Sequence, residues 1–432
     1  MIVSTSLRRT TTRTSICSGI SSSIKPSSLL YKENTNYNLL FTSSSTRCNN
    51  NNNNNNKTAI TRRSYYSSTR KEEGKVIVLG GTVRDIIARP SESSLLLLPR
   101  TSNPGNYVES DGGVGRNITE VLARFKCQPI FYTAAAADDD STNNILNRLK
   151  KIGTDRVVTT PTRGESSSKD DENRNNNTNP YGVATFLAVL DENGDLYTAI
   201  ACNMDIFRFI PIPSSMEYNK KSKIKYLIMD ANPPLSTLKE SARIAAAEGV
   251  EVCLEPTSVP KAKRIAQDLD LLSNITYTFP NIDELKVMVQ QEQQKSVTDD
   301  DDNEDFDLEA ATSTLLHRMN SKYACVIVTM GKDGILFAEK KQKYETTAVI
   351  TMERIPTIII SSSESINTTG AGDTFCGAFF AYLLSLCNTF TTTSSSNKRN
   401  AIQFAMKAAS MSVQTQECAI SPNLSNLLFK EK

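Results

Sequence analysis

The chain predicts an α/β fold, a doubly wound and mostly parallel sheet with helices on both faces and a small β-sheet lid. From Lys225 onward, short apolar runs alternate with helix-length segments, and that alternation implies parallel pairing through helical crossovers. Right-handed crossovers wind such a sheet in two directions and put ligands at the carboxyl ends of its strands. A third feature is a candidate for a small sheet that covers the site. Val183–Leu190 and Leu196–Ile200 flank the polar stretch Asp191-Glu192-Asn193-Gly194-Asp195, a hairpin signature outside the alternation.

In chain order, Lys75–Leu79 is a first buried strand that ends in Gly80-Gly81. Asn117–Phe125 has helical apolar spacing and Ile130–Tyr132 is a further strand. After the hairpin come a strand at Tyr226–Met229, a helix at Leu235–Glu248, a strand at Val250–Leu254 and a helix around Lys261–Leu271. A strand at Ile275–Thr278, helices opening at Ile282 and Leu308, and a strand at Ala324–Thr329 continue the series. The apolar run Thr374–Leu386 and the Ala-rich Asn400–Val413 read as the last helices.

A length of 432 residues allows up to about three domains, but much of it is not domain material. Residues 1–71 are rich in Ser, Thr and Asn, with an unbroken run from Asn49 to Asn56. Such a segment cannot bury enough apolar area to offset its ordering entropy. Residues 72–432 then form one domain, interrupted by polar insertions at 166–179 and 290–307 that read as solvated loops. The acidic run Asp299–Asp302 lacks the Gly and terminal Glu of a calcium loop.

The N-terminal segment also carries an address. Glu33 is its one acid, against Arg8, Arg9, Arg13, Lys25, Arg47, Arg62, Arg63 and Arg70. An Arg- and Ser-rich, acid-poor start has the composition of a mitochondrial transit peptide, and Arg63-Ser64-Tyr65-Tyr66-Ser67 resembles a matrix-processing site. The alternative is a merely basic extension on a cytoplasmic protein. A net charge of +2 implies no nucleic-acid or membrane partner, and no apolar run approaches the ~20 residues of a span. Nine cysteines form no C-x-x-C pair, and the one histidine, His317, excludes His-based triads and metal clusters.

The chemistry concentrates at Gly370-Ala371-Gly372-Asp373. A Gly-Ala-Gly turn opening a helix aims unpaired N–H groups at one point, where the helix dipole favours negative charge. Asp373 beside that nest can take a proton from a hydroxyl as it attacks a phosphate. Gly370, Ala371 and Gly372 would supply N–H groups to the transferring phosphoryl. A Gly-rich helix N-terminus with an ordinary first-turn Asp explains the same residues.

Two remote signatures separate these readings. Asn367–Asp373 resembles the C-terminal signature of the ribokinase-like (carbohydrate and nucleoside) kinase family, and Gly112-Gly113-Val114-Gly115-Arg116-Asn117 resembles its N-terminal one. Within the family, Ser102-Asn103-Pro104-Gly105 and Gly112–Ile118 look most like the pseudouridine-kinase branch. The resemblance covers Lys75 to Leu428 and implies ATP-dependent phosphorylation of the 5′-hydroxyl of pseudouridine. Alternatives are a kinase for ribose, adenosine or another ribosyl compound, and a catalytically silent relative. A dinucleotide-binding dehydrogenase is disfavoured because no G-x-G-x-x-G turn follows the first strand.

The resemblance implies roles residue by residue. Asp85, Gly112, Gly113 and Asn117 would bind the sugar, with Asn103 and Asn203 as further substrate contacts. Thr329, Gly331, Gly334, Thr369 and Gly372 would face the nucleotide, and the Asn400–Val413 helix would border the adenine; a plain turn between strands explains Gly331 and Gly334 as well, and a simple core helix explains Asn400–Val413. Asn281 and Glu284 would hold Mg2+ through water, a sufficient set because Mg2+ keeps much of its hydration. A helix N-terminus with acids favoured by the dipole explains the same pair. Asn367 stands where Asp is usual, which weakens a K+ site. Glu255 stands where Asp is commoner and reads as tolerated at the site edge, while Arg116 reads as structural. A small-molecule nucleoside or sugar partner is implied, with functional coupling to a pseudouridine 5′-phosphate glycosidase. Homodimer formation stays open.

Removing residues 1–71 should leave activity intact and abolish organelle import. Imaging of a tagged full-length chain tests this, and a cytosolic chain with no shortened mature form would refute the targeting assignment.

Overall fold

The computed structural model describes residues 75–427 apart from 92–95, 135–139, 160–181, 192–195, 220–221, 291–305, 320, 345–346, 359–369, 387–393 and 416–418. The N-terminal segment 1–71, the 166–179 insertion and residues 291–305 of the second insertion therefore lie outside the described residues.

The first half contains β1 (Lys75–Leu79), β2 (Val83–Pro90), β3 (Gly105–Gly112), α1 (Val114–Arg124), β4 (Ile130–Tyr132), α2 (Asp140–Ile152), β5 (Arg156–Val158), β6 (Thr185–Leu190) and β7 (Leu196–Cys202). Then follow β8 (Glu217–Asn219), β9 (Ser222–Asp230), α3 (Leu235–Ala247), β10 (Glu251–Glu255), α4 (Val259–Ala266), α5 (Leu269–Ser273), β11 (Tyr277–Thr278), α6 (Ile282–Val289) and α7 (Leu308–Arg318). The chain closes with β12 (Cys325–Thr329), β13 (Ile335–Tyr344), β14 (Thr347–Ile355), α8 (Ala371–Ser385) and α9 (Ser395–Val413).

The large sheet runs β14-β13-β12-β11-β10-β9-β1-β4-β5, with β8 paired to β9. From β12 to β5 neighbouring strands are parallel, while β13 and β14 are antiparallel additions at one edge. Alternation along each strand loads both faces. Ile77, Leu79, Leu227, Met229, Val252 and Leu254 belong to one apolar core with α3, α4, α5, α6 and α7. Val76, Val78, Tyr226, Ile228 and Cys253 belong to the other, with α1, α2, α8 and α9. A separate four-stranded sheet, β3-β2-β6-β7, pairs β2 parallel to β6 and holds the expected β6–β7 hairpin.

Three elements depart from the sequence expectation. The helix expected around Lys261–Leu271 is two helices, because the Asp268 carboxylate accepts the Leu271 amide (2.9 Å) and starts α5 afresh. The β2–β3 pair was not expected, since β3 (GNYVESDG) is exposed from Gly105 to Glu109 and has no regular apolar alternation. The alternation also stops at β12, where a tight turn at Gly331–Asp333 sends the chain back as β13.

Helix α8 is fixed by aromatic packing. Phe380 lies with its ring centroid 4.9 Å from Tyr226 and 5.4 Å from Tyr277, while Phe379 sits 5.4 Å from Phe279. Phe380→Ala should therefore cost about 3–5 kcal/mol of stability, measured by urea unfolding of residues 72–432. A loss under 1 kcal/mol would show that the ring contributes little to seating α8.

Candidate active site

Strand order reverses between β1, which continues to β4, and β9, which continues to β10. In such sheets the crevice beyond the carboxyl ends at this reversal is where ligands bind. Asp230 closes β9 there and is fully buried. Its Oδ2 accepts the amides of Gly81 and Gly115 (2.8 Å each) and Nδ2 of Asn232 (2.8 Å), and its Oδ1 accepts the Asn232 amide (2.9 Å). One carboxylate thus ties the end of β1, the start of α1 and the loop after β9. Sequence reasoning missed Asp230; the available signal was an acid ending the apolar run Tyr226–Met229.

Gly370 caps α8 with φ 77°, and a Cβ there would lie 2.6 Å from the Ala419 carbonyl oxygen. The turn therefore requires glycine. The first bond of the helix runs from the Thr374 amide to the Gly370 carbonyl (2.8 Å), so the amides of Ala371, Gly372 and Asp373 precede the intrahelical ladder. The space that a Cβ on Gly372 would occupy is open.

Asp373, in the first turn of α8, is buried, and its Oδ2 accepts Nδ2 of Asn117 on α1 (2.7 Å). The helices approach this closely because Gly377 has no side chain: a Cβ there would sit 2.7 Å from Val121. Asn117 and Asp373 each lie four residues before that contact, on the same helical faces. Burial pushes the Asp373 carboxyl up to about 7. The Asn117 hydrogen bond opposes this, the charges of Asp230 and Asp85 add to it, and Arg116 opposes it.

On the lid side, Asp85 stands on β2 paired with Ser110 of β3, and its carboxylate accepts no hydrogen bond among the described residues. Burial raises its carboxyl to about 6, with Arg116 pulling the other way. Gly112 backs directly onto it, since a Cβ there would be 2.0 Å from Asp85 Oδ2. Gly113 caps α1, and its carbonyl accepts the Asn117 amide (2.8 Å). Asn203 follows the last residue of β7, which pairs with Thr185 and through it neighbours Arg84, so Asn203 lies at the same end of the lid as Asp85. Its Nδ2 donates to the Val183 carbonyl (3.3 Å). Asn103 stands apart. It precedes Gly105, which pairs with Pro90 at the far end of the lid, and its amide is engaged with the backbone of Leu98 and Thr101.

On the opposite side, Asn281 and Glu284 form a reciprocal capping box at the start of α6. Asn281 Oδ1 accepts the Glu284 amide (2.8 Å), and Glu284 Oε2 accepts the Asn281 amide (3.0 Å). Glu284 Oε1 is left over, and burial raises that carboxyl. Thr329 bridges to Asn281, which brings the ends of β11 and β12 together. Gly331 faces open space, whereas a Cβ on Gly334 would meet the Ile355 carbonyl oxygen at 2.3 Å, so packing accounts for Gly334. α9 packs against α8, with Ser412 and Thr374 hydroxyls 2.9 Å apart. Thr369 and Asn367 lie outside the described residues.

Glu255 is not at the edge. It ends β10 with Oε2 buried and unpartnered, and burial plus the charges of Asp373, Glu284 and Asp230 raise its carboxyl well above the usual range. Thr257, two residues on, holds a left-handed φ of 71° that is unfavourable for a β-branched residue. Lys261 of α4 donates to Asn232 Oδ1 (2.6 Å), and desolvation lowers its ammonium. Neither Thr257 nor Lys261 stood out in the sequence.

Residues 73–425 match the model of the pfkB family of carbohydrate kinases. The chain is 27% identical over 273 residues to a pseudouridine kinase of Arabidopsis thaliana, a match covering 61% of this chain and 65% of that protein. It is 28% identical over 193 residues to a ribokinase of Staphylococcus aureus (strain COL), covering 44% of this chain and 50% of that one. The chain thus spans less than two thirds of the length of both relatives. A ribokinase of Lactococcus lactis subsp. lactis matches at 22% identity over 79% of this chain and 91% of its own. Among solved structures, a ribokinase from Cryptococcus neoformans var. grubii serotype A in complex with ADP superposes with a TM-score of 0.54 at 15% identity, over 82% of this chain and 98% of that one. These structures establish the ribokinase-like fold, and the family match establishes the lineage: this chain belongs to the pfkB family of carbohydrate kinases.

Proposed function

We propose that this chain is an ATP-dependent kinase that phosphorylates the 5′-hydroxyl of pseudouridine. The observation that carries the kinase reading is the buried Asp373 carboxylate beside the open N-terminus of α8, held by Asn117 at the switch point. The similarity to the Arabidopsis thaliana pseudouridine kinase, together with Gly112–Ile118, supports the substrate. The longer coverage of the Lactococcus lactis ribokinase keeps ribose as the second reading.

On this reading Asp85 accepts hydrogen bonds from sugar hydroxyls, and its unpartnered carboxylate is available for two of them. Asp373 takes the proton of the 5′-hydroxyl as its oxygen attacks the γ-phosphorus and the bond to the β-phosphate oxygen breaks, releasing ADP. The amides of Ala371, Gly372 and Asp373 stabilise the charge on the transferring phosphoryl. Mg2+ fits the residues present: Glu284 Oε1 and the orphaned Glu255 Oε2 are hard oxygen donors left without hydrogen-bond partners. Mg2+ needs few direct carboxylates because it keeps several waters and takes phosphate oxygens as ligands. When bound, it supplies charge neutralisation at the phosphates. Mitochondrial location and supply of product to a pseudouridine 5′-phosphate glycosidase belong to the same proposal.

Purified residues 72–432 with ATP and a panel of pseudouridine, uridine, adenosine and ribose test the substrate. Preference for any of the last three overturns the pseudouridine assignment. Because Asp373 must be ionised to accept the proton and titrates at about 7, turnover should fall as pH drops below about 7. A flat profile down to pH 5 would remove Asp373 as the base.

Asp373→Asn should lower turnover by about 10³–10⁴-fold while ligands still bind, whereas Asp85→Asn should chiefly weaken nucleoside binding. The same Asp373 variant should be more stable than the parent at high pH. A carboxyl raised from 3.8 to about 7 binds its proton more tightly when folded, so the stability it contributes is present below about 4 and lost as pH rises through 7. The difference corresponds to at most roughly 4 kcal/mol above pH 7. Thermal unfolding of the variant at pH 4 and pH 8 checks the sign, and equal effects at both would contradict it.

A further inference from the structure

Arg116 has no part in the mechanism above, yet it is 5% exposed and sits between the lid and the base. Its Nη1 donates both to the Asp111 carbonyl on β3 (3.1 Å) and to Asn117 Oδ1 (2.8 Å), and it pairs with Glu120 on α1 and with the Asp111 carboxylate (3.5 Å). A guanidinium can only donate. The atom of Asn117 that faces it must therefore be Oδ1, which leaves Nδ2 to face Asp373 at 2.7 Å.

We propose that Arg116 is a positioning residue: it fixes the amide of Asn117 so that an N–H, never the carbonyl, meets Asp373, and it ties that arrangement to lid strand β3. This deepens the kinase reading and rests on it for its catalytic meaning. Without Arg116, the Asn117 amide is free to turn and present Oδ1, which pairs only with a protonated carboxyl. An N–H donated to the ionised carboxylate favours the charged, proton-accepting form, and the guanidinium charge acts in the same direction. The other titratable groups facing Asp373 are Asp230 from β9, Asp85 from β2, Glu255 from β10 and Cys376 on its own helix. Asp230 and Asp85 raise it, and Arg116 and the Asn117 amide are what oppose them.

The sequence itself connects lid and base. Asp111 ends the lid hairpin, and it also receives Arg148 of α2 through Nε (2.7 Å). Glu120 takes Arg124 as well (2.8 Å from Nε). Arg116 is thus held by charges on two sides, and its fork reaches both the lid backbone and the Asn117 amide.

The test is the titration of Asp373 in the full chain carrying ¹³C-carboxyl-labelled aspartate, with the resonance assigned by Asp373→Asn, beside the pH profile of turnover. In Arg116→Met the Asp373 titration should rise by about one pH unit. The acid limb of turnover should move with it, so that the rate falls about tenfold at pH 6 and converges on the parent rate at high pH. If Arg116→Met does not fold, Arg116→Lys keeps a charge for Asp111 and Glu120 but lacks the fork that serves both acceptors, and it should shift Asp373 less, in the same direction. An unmoved Asp373 titration in a folded variant, or a rate loss equal at every pH, overturns the proposal. A shifted titration in a protein that phosphorylates no member of the acceptor panel supports the positioning role and overturns the kinase reading instead.

Discussion

The buried carboxylate of Asp230 is the constraint on which the site depends. A fully buried charge is tolerable only when its lone pairs are satisfied, and Asp230 is satisfied by the three segments that meet at the reversal of strand order. The Gly80-Gly81 turn, the first turn of α1 and the loop after β9 are therefore held in one register. A Cβ on Gly80 would lie 2.5 Å from Asp230 Oδ2, so the turn and the carboxylate fit only together.

From that fixed point the second relationship follows. With the start of α1 pinned, its path along α8 is set by the close contact at Gly377, and one turn earlier Asn117 and Asp373 meet. The aromatic rings beneath α8 fix the other side of that helix. Rigid elements hold a side chain more accurately than loops do, and Asp373 is held by helices on a sheet.

Electrostatically the site is a strained collection of acids. Asp85, Glu255, Glu284 and Asp373 all have carboxyls raised first by burial, and the charge of Asp373 raises Glu255 further. Such an arrangement lowers stability, and it is made tolerable in part by Arg116 and by Lys261 next to Asp230. The left-handed Thr257 beside Glu255 is a second local cost in the same loop. Stability is given up here for charge placement, as is common where a fold carries its chemistry.

The alternation of strands and helices, the turn at Gly370–Asp373 and the Asn281-to-Glu284 start of α6 were legible in the sequence, because each is set by side-chain period or capping within a few residues. The ends of α5 and the turn to β13 were less so: a single cap at Asp268 and a turn at Gly331–Asp333 outweighed the apolar pattern. What the tertiary structure alone decided are contacts across 149 residues from Asp230 to Gly81 and 256 from Asn117 to Asp373. Asn103, near Asp85 in sequence, was carried to the far end of the lid by strand register. Glu255 was carried inward by β10, and Arg116 became the link between β3 and the Asn117–Asp373 pair. Local pattern specifies the elements, but a buried charge finds its partners only when separate elements pack, and that packing has no short-range signature.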